Sequence, residues 1–289
     1  SLFAKGQLAL DDRIVLADFS VAQEDSALAP ILAVAVRAAM SQSKSVRLMD
    51  QADVAQTLQQ MQRESGKPLP PELAREVAER AGAKAVLGGH LARIGAGYAV
   101  SLELTSADRG VSLAAFQATA DGARDLLPVV DRLTRDLRGK IGESLRQVQH
   151  SVPLEQATTS SLEALRKYSE ASVANDVDGD YDRAVRLLRE AVALDSTFAL
   201  AWRKMAVAIN NGSGSAETRD SALQKAFQYA GRLPDREKYL AIGVYYAHSR
   251  QAGDRGKSLA AYQAAYAADS NGSIAANNLF TLYGERNEY

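Results

Sequence analysis

Four carboxylates alternate with other residues in Asp176-Val-Asp-Gly-Asp-Tyr-Asp182. Oxygen ligands at every second position suit a hard cation such as calcium. The calcium loop of a helix–loop–helix site needs glycine at its sixth position and glutamate at its twelfth. Counted from Asp176, those places hold Tyr181 and Leu187, so the match fails. An acidic turn between two helices, with an aspartate capping the second, accounts for the same residues.

The other chemistry-bearing residues are scattered. Gly95-Ala-Gly97 lies between two strand-like runs and has no following helix, so it reads as a hairpin turn and not a dinucleotide loop. His90, His150 and His248 lack metal-ligand spacing. Ser144, in Gly142-Glu-Ser-Leu145, lacks the strand–turn–helix setting of an activated serine, and with Gly142 it reads as a close-packing position in a helix. Cysteine is absent, which excludes disulfides and thiolate metal sites. With no acid–base or nucleophile set, the expectation is a non-enzyme without cofactor or metal. A hydrolase hidden in the first half is the minor alternative.

Net charge is −1, from 34 basic and 35 acidic residues among 289. That balance draws the chain toward neither nucleic acid nor an anionic membrane. The length suggests two domains. No apolar run reaches the roughly 18 residues that span a bilayer. The chain opens on Ser1 without methionine and stops at Tyr289 within a helical pattern, which leads us to expect a piece of a longer protein.

The first half alternates strand and helix signals. Arg13–Phe19 and Val46–Met49 are short apolar runs, read as strands. Leu28–Met40 has helical spacing with Pro30 in its first turn, Asp50 is placed to cap a helix carrying Val54, Leu58 and Met61, and Pro70-Pro71 opens a helix that Gly82 stops. Ala83–Ile94, Tyr98–Leu104 and Val111–Ala120, separated by glycine turns, read as an antiparallel meander. Leu126, Val130, Leu133, Leu137, Ile141, Leu145 and Val148 form one apolar stripe, read as a single long helix. The expected fold class is α+β in two domains. Residues 1–150 form a mixed-sheet α/β domain of order β-α-β-α-α-β-β-β-α. His150–Thr159 is a polar linker, and residues 151–289 are all helical, with Ser160 and Glu163 at capping-box spacing.

The second half repeats. Ala184, Leu188, Ala191 and Asp195 align with Ser258, Tyr262, Ala265 and Asp269 at an offset of 74, and Trp202, Met205 and Ile209 align with Ala276, Leu279 and Tyr283. This is about two tetratricopeptide (TPR) units of roughly 34 residues with loop insertions. Small residues let the helices of a hairpin approach, and large ones fill the groove between hairpins. The pattern predicts hairpins near 162–196, 199–231 and 237–270, then a lone helix from Ile274.

On its order of elements the first half resembles the TolB N-terminal domain and related envelope domains. Leu137-Arg-Gly-Lys-Ile-Gly-Glu-Ser-Leu145, the stretch from Pro153 to Tyr168, Ala193-Leu-Asp-Ser-Thr-Phe-Ala-Leu-Ala201 and Gly231-Arg-Leu-Pro-Asp-Arg-Glu-Lys-Tyr239 resemble the region downstream of the kinase domain in TPR-containing bacterial serine/threonine kinases. That resemblance implies an extracytoplasmic sensor, periplasmic or at the cell surface. It would be membrane-anchored through a segment outside this chain. No kinase motif is present here. The expected function is non-catalytic binding of a protein or peptide, with no nucleic-acid partner; a cell-envelope scaffold is the alternative.

TPR arrays line their concave face with the first helix of each hairpin. The candidate ligand-binding residues are therefore Arg166, Lys167, Arg203, Lys204, Asn210, Lys238, Tyr245 and His248. Five of these eight are basic, which suggests a groove for an acidic peptide or a free carboxylate. Tyr245, Tyr246 and Tyr262 are either contact anchors or core.

Overall fold

The computed structural model describes residues 1–64, 68–269 and 273–284. The chain is a mixed-sheet unit followed by a series of helices, and it divides at Glu155/Gln156.

The sheet of the first unit contains β1 (Asp12–Leu16), β2 (Ser20–Val21), β3 (Val46–Leu48), β4 (Ala85–Ile94), β5 (Gly97–Ser106) and β6 (Ser112–Ala120). The strand order is β3-β1-β4-β5-β6, with β2 paired to β4 off this path. β1 runs parallel to β3 and β4, whereas β4, β5 and β6 form the expected antiparallel meander. β2 is too short to show a period in the sequence.

Period two along β1 sends Val15 one way and Ile14 and Leu16 the other. Val15, with Ala17 just past the strand end, packs beneath α2 (Gln51–Gln60) and α3 (Pro71–Ala81), against Val54, Leu58, Ala74 and Val77. Ile14 and Leu16 are also buried, so the opposite face is covered too. α1 (Leu28–Met40) and α4 (Leu126–Ile141) pack on each other, and α4 lies along β5 and β6. Gly82 ends α3 in the left-handed region, at φ +70°, where a side chain would be strained. Asp50 stands at the N-cap of α2, but its side chain does not cap the helix.

The single long helix expected over 126–148 is broken. Gly142, at φ +140°, ends α4, and Ser144 starts the short α5 (Leu145–Gln149) through a capping box with Gln147. Ser144 is thus an N-cap and not a mid-helix packing position. Leu145 falls off the stripe and is 72% exposed. The break is held by Glu143, whose buried carboxylate takes Arg138 Nε at 2.9 Å and also accepts from the Ser43 hydroxyl and the Lys44 amide. Arg138 in turn donates to Ser151 Oγ at 2.8 Å and to the Gln42 carbonyl at 3.1 Å.

The stretch expected as a polar linker is also structured. It carries α6 (Leu154–Ala157), and Leu154, Ala157, Thr158 and Thr159 are buried. The Thr159 hydroxyl serves the Asp195 carboxylate.

In the second unit α7 (Leu162–Asp176) pairs with α8 (Tyr181–Leu194), α9 (Ala199–Asn211) with α10 (Ala216–Gln228), and α11 (Asp235–His248) with α12 (Arg255–Ala268), while α13 (Ser273–Gly284) packs on α12. Residue 270, where the third hairpin was expected to end, and residues 285–289 lie outside the described residues. The cap of α7 is Ser161, not Ser160, and it accepts from the Ala164 amide.

The two aligned repeats are buried alike. Ala184, Leu188 and Ala191 on α8 and Ser258, Tyr262 and Ala265 on α12 are all core residues. Small residues at the helix contact allow the close approach, and Ser258 uses it to donate to the Gly243 carbonyl of α11. In the turn before α8, Asp180 caps that helix by accepting from the Arg183 amide.

Candidate ligand-binding site

The first helices of the hairpins are neighbours: α9 touches both α7 and α11. Side chains on all three meet in one strip of charge. Lys204 on α9 reaches back to Asp176 at the end of α7, at 2.6 Å. Arg203, beside it, reaches forward to Glu237 on α11, at 2.8 Å. Arg236 also pairs with Glu237, at 2.7 Å, and continues to Asp269 beyond α12, at 3.1 Å. The order Asp176, Lys204, Arg203, Glu237, Arg236, Asp269 thus alternates in clusters of sign across three hairpins. Adjacent Arg203 and Lys204 diverge to different helices.

The strip is largely withdrawn from water. The side chains of Arg203 and Glu237 are 12% and 11% exposed. Burial works against the charge on Glu237, but Arg203, Arg236 and Lys204 together outweigh it and hold its carboxyl below the usual range. Tyr168 forms part of the floor. Its ring lies 5.1 Å from that of Phe198, and Lys204 sits over it at 5.8 Å. Burial pushes the Tyr168 phenol up, with Lys204 and Arg203 opposing. Burial also raises Tyr262. Arg203 Nε is buried and has no acceptor among the described residues.

The sequence-derived residues divide on this geometry. Arg203 and Lys204 lie in the strip. Arg166 pairs within its own helix with Glu163 and Glu170, and Lys167 pairs with Glu190 on α8. The hydrogen bonds that Arg166 donates to Glu163 raise its guanidinium, with burial opposing. Asn210 Oδ1 accepts from Arg219 on α10 at 3.3 Å. Lys238 lies over the Tyr239 ring at 5.6 Å, and no carboxylate is within ion-pairing distance of it among the described residues. His248 is the last residue of α11. Tyr245 stacks on Phe227 of α10 at 4.3 Å and meets Tyr246 edge-on at 5.2 Å, a half-buried aromatic cluster. Tyr262, in contrast, is core.

Four of the five expected cations therefore already face carboxylates. Asp176, Arg236, Glu237 and Asp269 were missed as site residues. Their partners lie a hairpin away, and nothing local in the sequence marks them; the repeat offset, which equates Asp269 with Asp195, is the nearest signal. Among the described residues no group of three or more His, Asp or Glu side chains gathers to hold a metal.

A second gathering of charge lies in the first unit, where β1 and β3 end. Arg37 on α1 donates to the Met49 carbonyl at 2.9 Å, and Asp50 and Asp18 are nearby. Burial lowers the Arg37 guanidinium, with both carboxylates opposing. Asp18 is engaged with the Leu69 amide, at 2.7 Å.

No protein-family model matches this chain, and no curated protein matches it. Among solved structures, the LpoB C-terminal domain from Salmonella enterica is similar at a TM-score of 0.37 and 17% identity, over 41% of this chain and 88% of that one. A PelC dodecamer from Paraburkholderia phytofirmans gives a TM-score of 0.33 at 14% identity, over 47% of this chain and 92% of that one. TolB from Acinetobacter baumannii gives 0.30 at 13% identity, over 50% of this chain but 30% of TolB.

Proposed function

We propose that this chain is a non-catalytic protein- or peptide-binding module whose helical hairpins are TPR-type repeats. The observation behind this reading is the charged strip that crosses the neighbouring first helices α7, α9 and α11. Consecutive hairpins that present one face in register suit an extended partner. A ligand carboxylate would be received at Lys238, which has no carboxylate within ion-pairing distance among the described residues, on the helix that Arg203 reaches. Such charge-assisted hydrogen bonds favour acidic side chains or a chain terminus.

The resemblance of the quoted sequence stretches to TPR-containing bacterial kinases supports the finer reading. In it, the chain is an extracytoplasmic sensory part of a membrane-anchored signalling protein. The scaffold alternative is kept as an outcome of the test.

The binding reading is tested by capture from a peptide library by the wild-type chain and by Lys238→Glu and Arg203→Glu. Acidic peptides are expected to be enriched by the wild type and lost from Lys238→Glu, while its thermal unfolding is unchanged. Captured peptides without acidic bias, or capture that Lys238→Glu leaves intact, would sink the reading. The gene upstream of Ser1 tests the finer claim: a kinase and a membrane-spanning helix are expected, and a lipoprotein signal alone would favour the scaffold.

A further inference from the structure

Lys238 and Tyr245 stand seven positions apart on α11, with Ile242 between them. Steps of four and three along a helix keep side chains on one face. The three therefore form one lane, about 10.5 Å long by helical rise. All three are half-buried. The two ends of the lane differ. Lys238 lies over the Tyr239 ring and has no carboxylate within ion-pairing distance among the described residues. Tyr245 stacks on Phe227 of α10 at 4.3 Å, and Tyr246 meets Phe227 edge-on at 5.7 Å and Tyr245 at 5.2 Å.

Phe227 is the exposed member of this cluster, with 37% of its surface open. A large ring left open beside two half-buried tyrosines offers apolar contact area that is already rigid, which suits an anchor for a partner. The cations at and beyond this end are engaged. Lys257 lies over Tyr246 at 5.2 Å and pairs with Asp254 at 3.5 Å, and Arg250 pairs with Asp220 at 2.7 Å. A negative group of a ligand thus finds a cation without a carboxylate at the Lys238 end, and an apolar group finds rings at the other.

We infer that the lane takes an extended peptide carrying an acidic residue and, three positions from it in either direction, a large apolar residue. This rests on the binding reading proposed above and names the ligand class of its site. The spacing follows from matching two rises. An extended chain advances roughly 3.3 Å per residue, so three residues cover the two turns of α11 between Lys238 and Tyr245. The acidic side chain accepts a charge-assisted hydrogen bond from Lys238 Nζ, the peptide backbone passes Ile242, and the apolar side chain lies on Phe227.

The test applies the whole chain to an array of Gly/Ser peptides that carry one glutamate and one phenylalanine at separations from one to six positions. Capture by the wild type is expected to peak at a separation of three, about tenfold above separations of one and six, as the burial of one large apolar side chain allows. It is expected to fall to background when glutamine replaces the glutamate. Phe227→Ser is expected to flatten the spacing profile while glutamate is still required, and Phe227→Leu to restore the peak. The wild-type profile decides by itself, without relying on the folding of any variant. Capture that depends on glutamate but not on separation overturns the inference and leaves the binding reading standing. Capture indifferent to glutamate overturns both. A peak that Phe227→Ser leaves in place also overturns the inference, because the rings would then not be the anchor.

Discussion

Arg203 and Glu237, 34 positions apart, meet at 2.8 Å and join the second hairpin to the third through their first helices. Glu237 also holds Arg236, so one carboxylate neutralises two guanidiniums in a mostly buried place. Removing the carboxylate leaves Arg203 mostly buried without its ion-pair partner, while Arg236 keeps Asp269, and stranding a buried charge costs far more than the pair itself contributes. Glu237→Gln is expected to destabilise the chain by about 3 kcal/mol in denaturant unfolding. A loss within 0.5 kcal/mol would mean that the strip is solvated.

The same carboxylate sets a pH dependence. Its folded pKa lies below the ordinary glutamate value of 4.5, so its contribution is fully present above that value. It is lost as pH falls through the lower folded value, where the unfolded chain binds the proton more readily than the folded one. Melting temperature should therefore fall below about pH 4.5, and less steeply in Glu237→Gln than in the wild type. Parallel acid limbs in the two proteins would refute the assignment.

Ala184 is fully buried where α8 meets its partner helix, beside Ala174 and Ala208. Ala184→Leu adds three carbons to a contact that only a methyl fits, and should cost about 1–3 kcal/mol. A neutral effect on thermal unfolding would place the repeat register elsewhere.

Gly243 makes the equivalent approach in the third hairpin. A Cβ there would come within 2.7 Å of the Tyr262 ring, which is core and cannot move aside freely. Gly243→Ala should therefore destabilise by about 1–3 kcal/mol despite the helix propensity that alanine gains. Gly231→Ala, whose Cβ meets nothing within 4 Å, serves as the control and should be nearly neutral. Equal effects at the two sites would count against the packing described.

In the first unit, Glu143→Ala should strand buried Arg138 and free the Ser43 hydroxyl, at a cost of about 3–5 kcal/mol. Hydrogen exchange should locate the loosening at the α4–α5 break. Unchanged protection there would show that Gly142 alone sets the break.

Much of this architecture is legible in one dimension because burial of one face imprints a period on the chain. The meander of β4, β5 and β6 follows from alternation and two glycine turns, and the second-half hairpins follow from small and large residues at fixed steps. The same reasoning misjudged residues 142–149. The apolar stripe ran on through Leu145, but the conformation at Gly142 and the pull of Glu143 on Arg138 interrupt the helix beneath it. The linker also misled, since a polar composition says nothing about hydroxyls that are buried against a carboxylate such as Asp195.

By itself, then, the sequence determined which faces are apolar, where the chain turns and that the second half repeats at an offset of 74. These depend on local conformation and on the burial of one side of each element. Only the tertiary structure decided whom the cations meet. Arg203 and Lys204 are adjacent in sequence, yet one turns to α11 and the other to α7. The tertiary structure likewise decided that β6 lies at the sheet's edge and not at its centre. A period records that a side chain is covered; the identity of what covers it depends on the angle and offset between elements far apart in the chain.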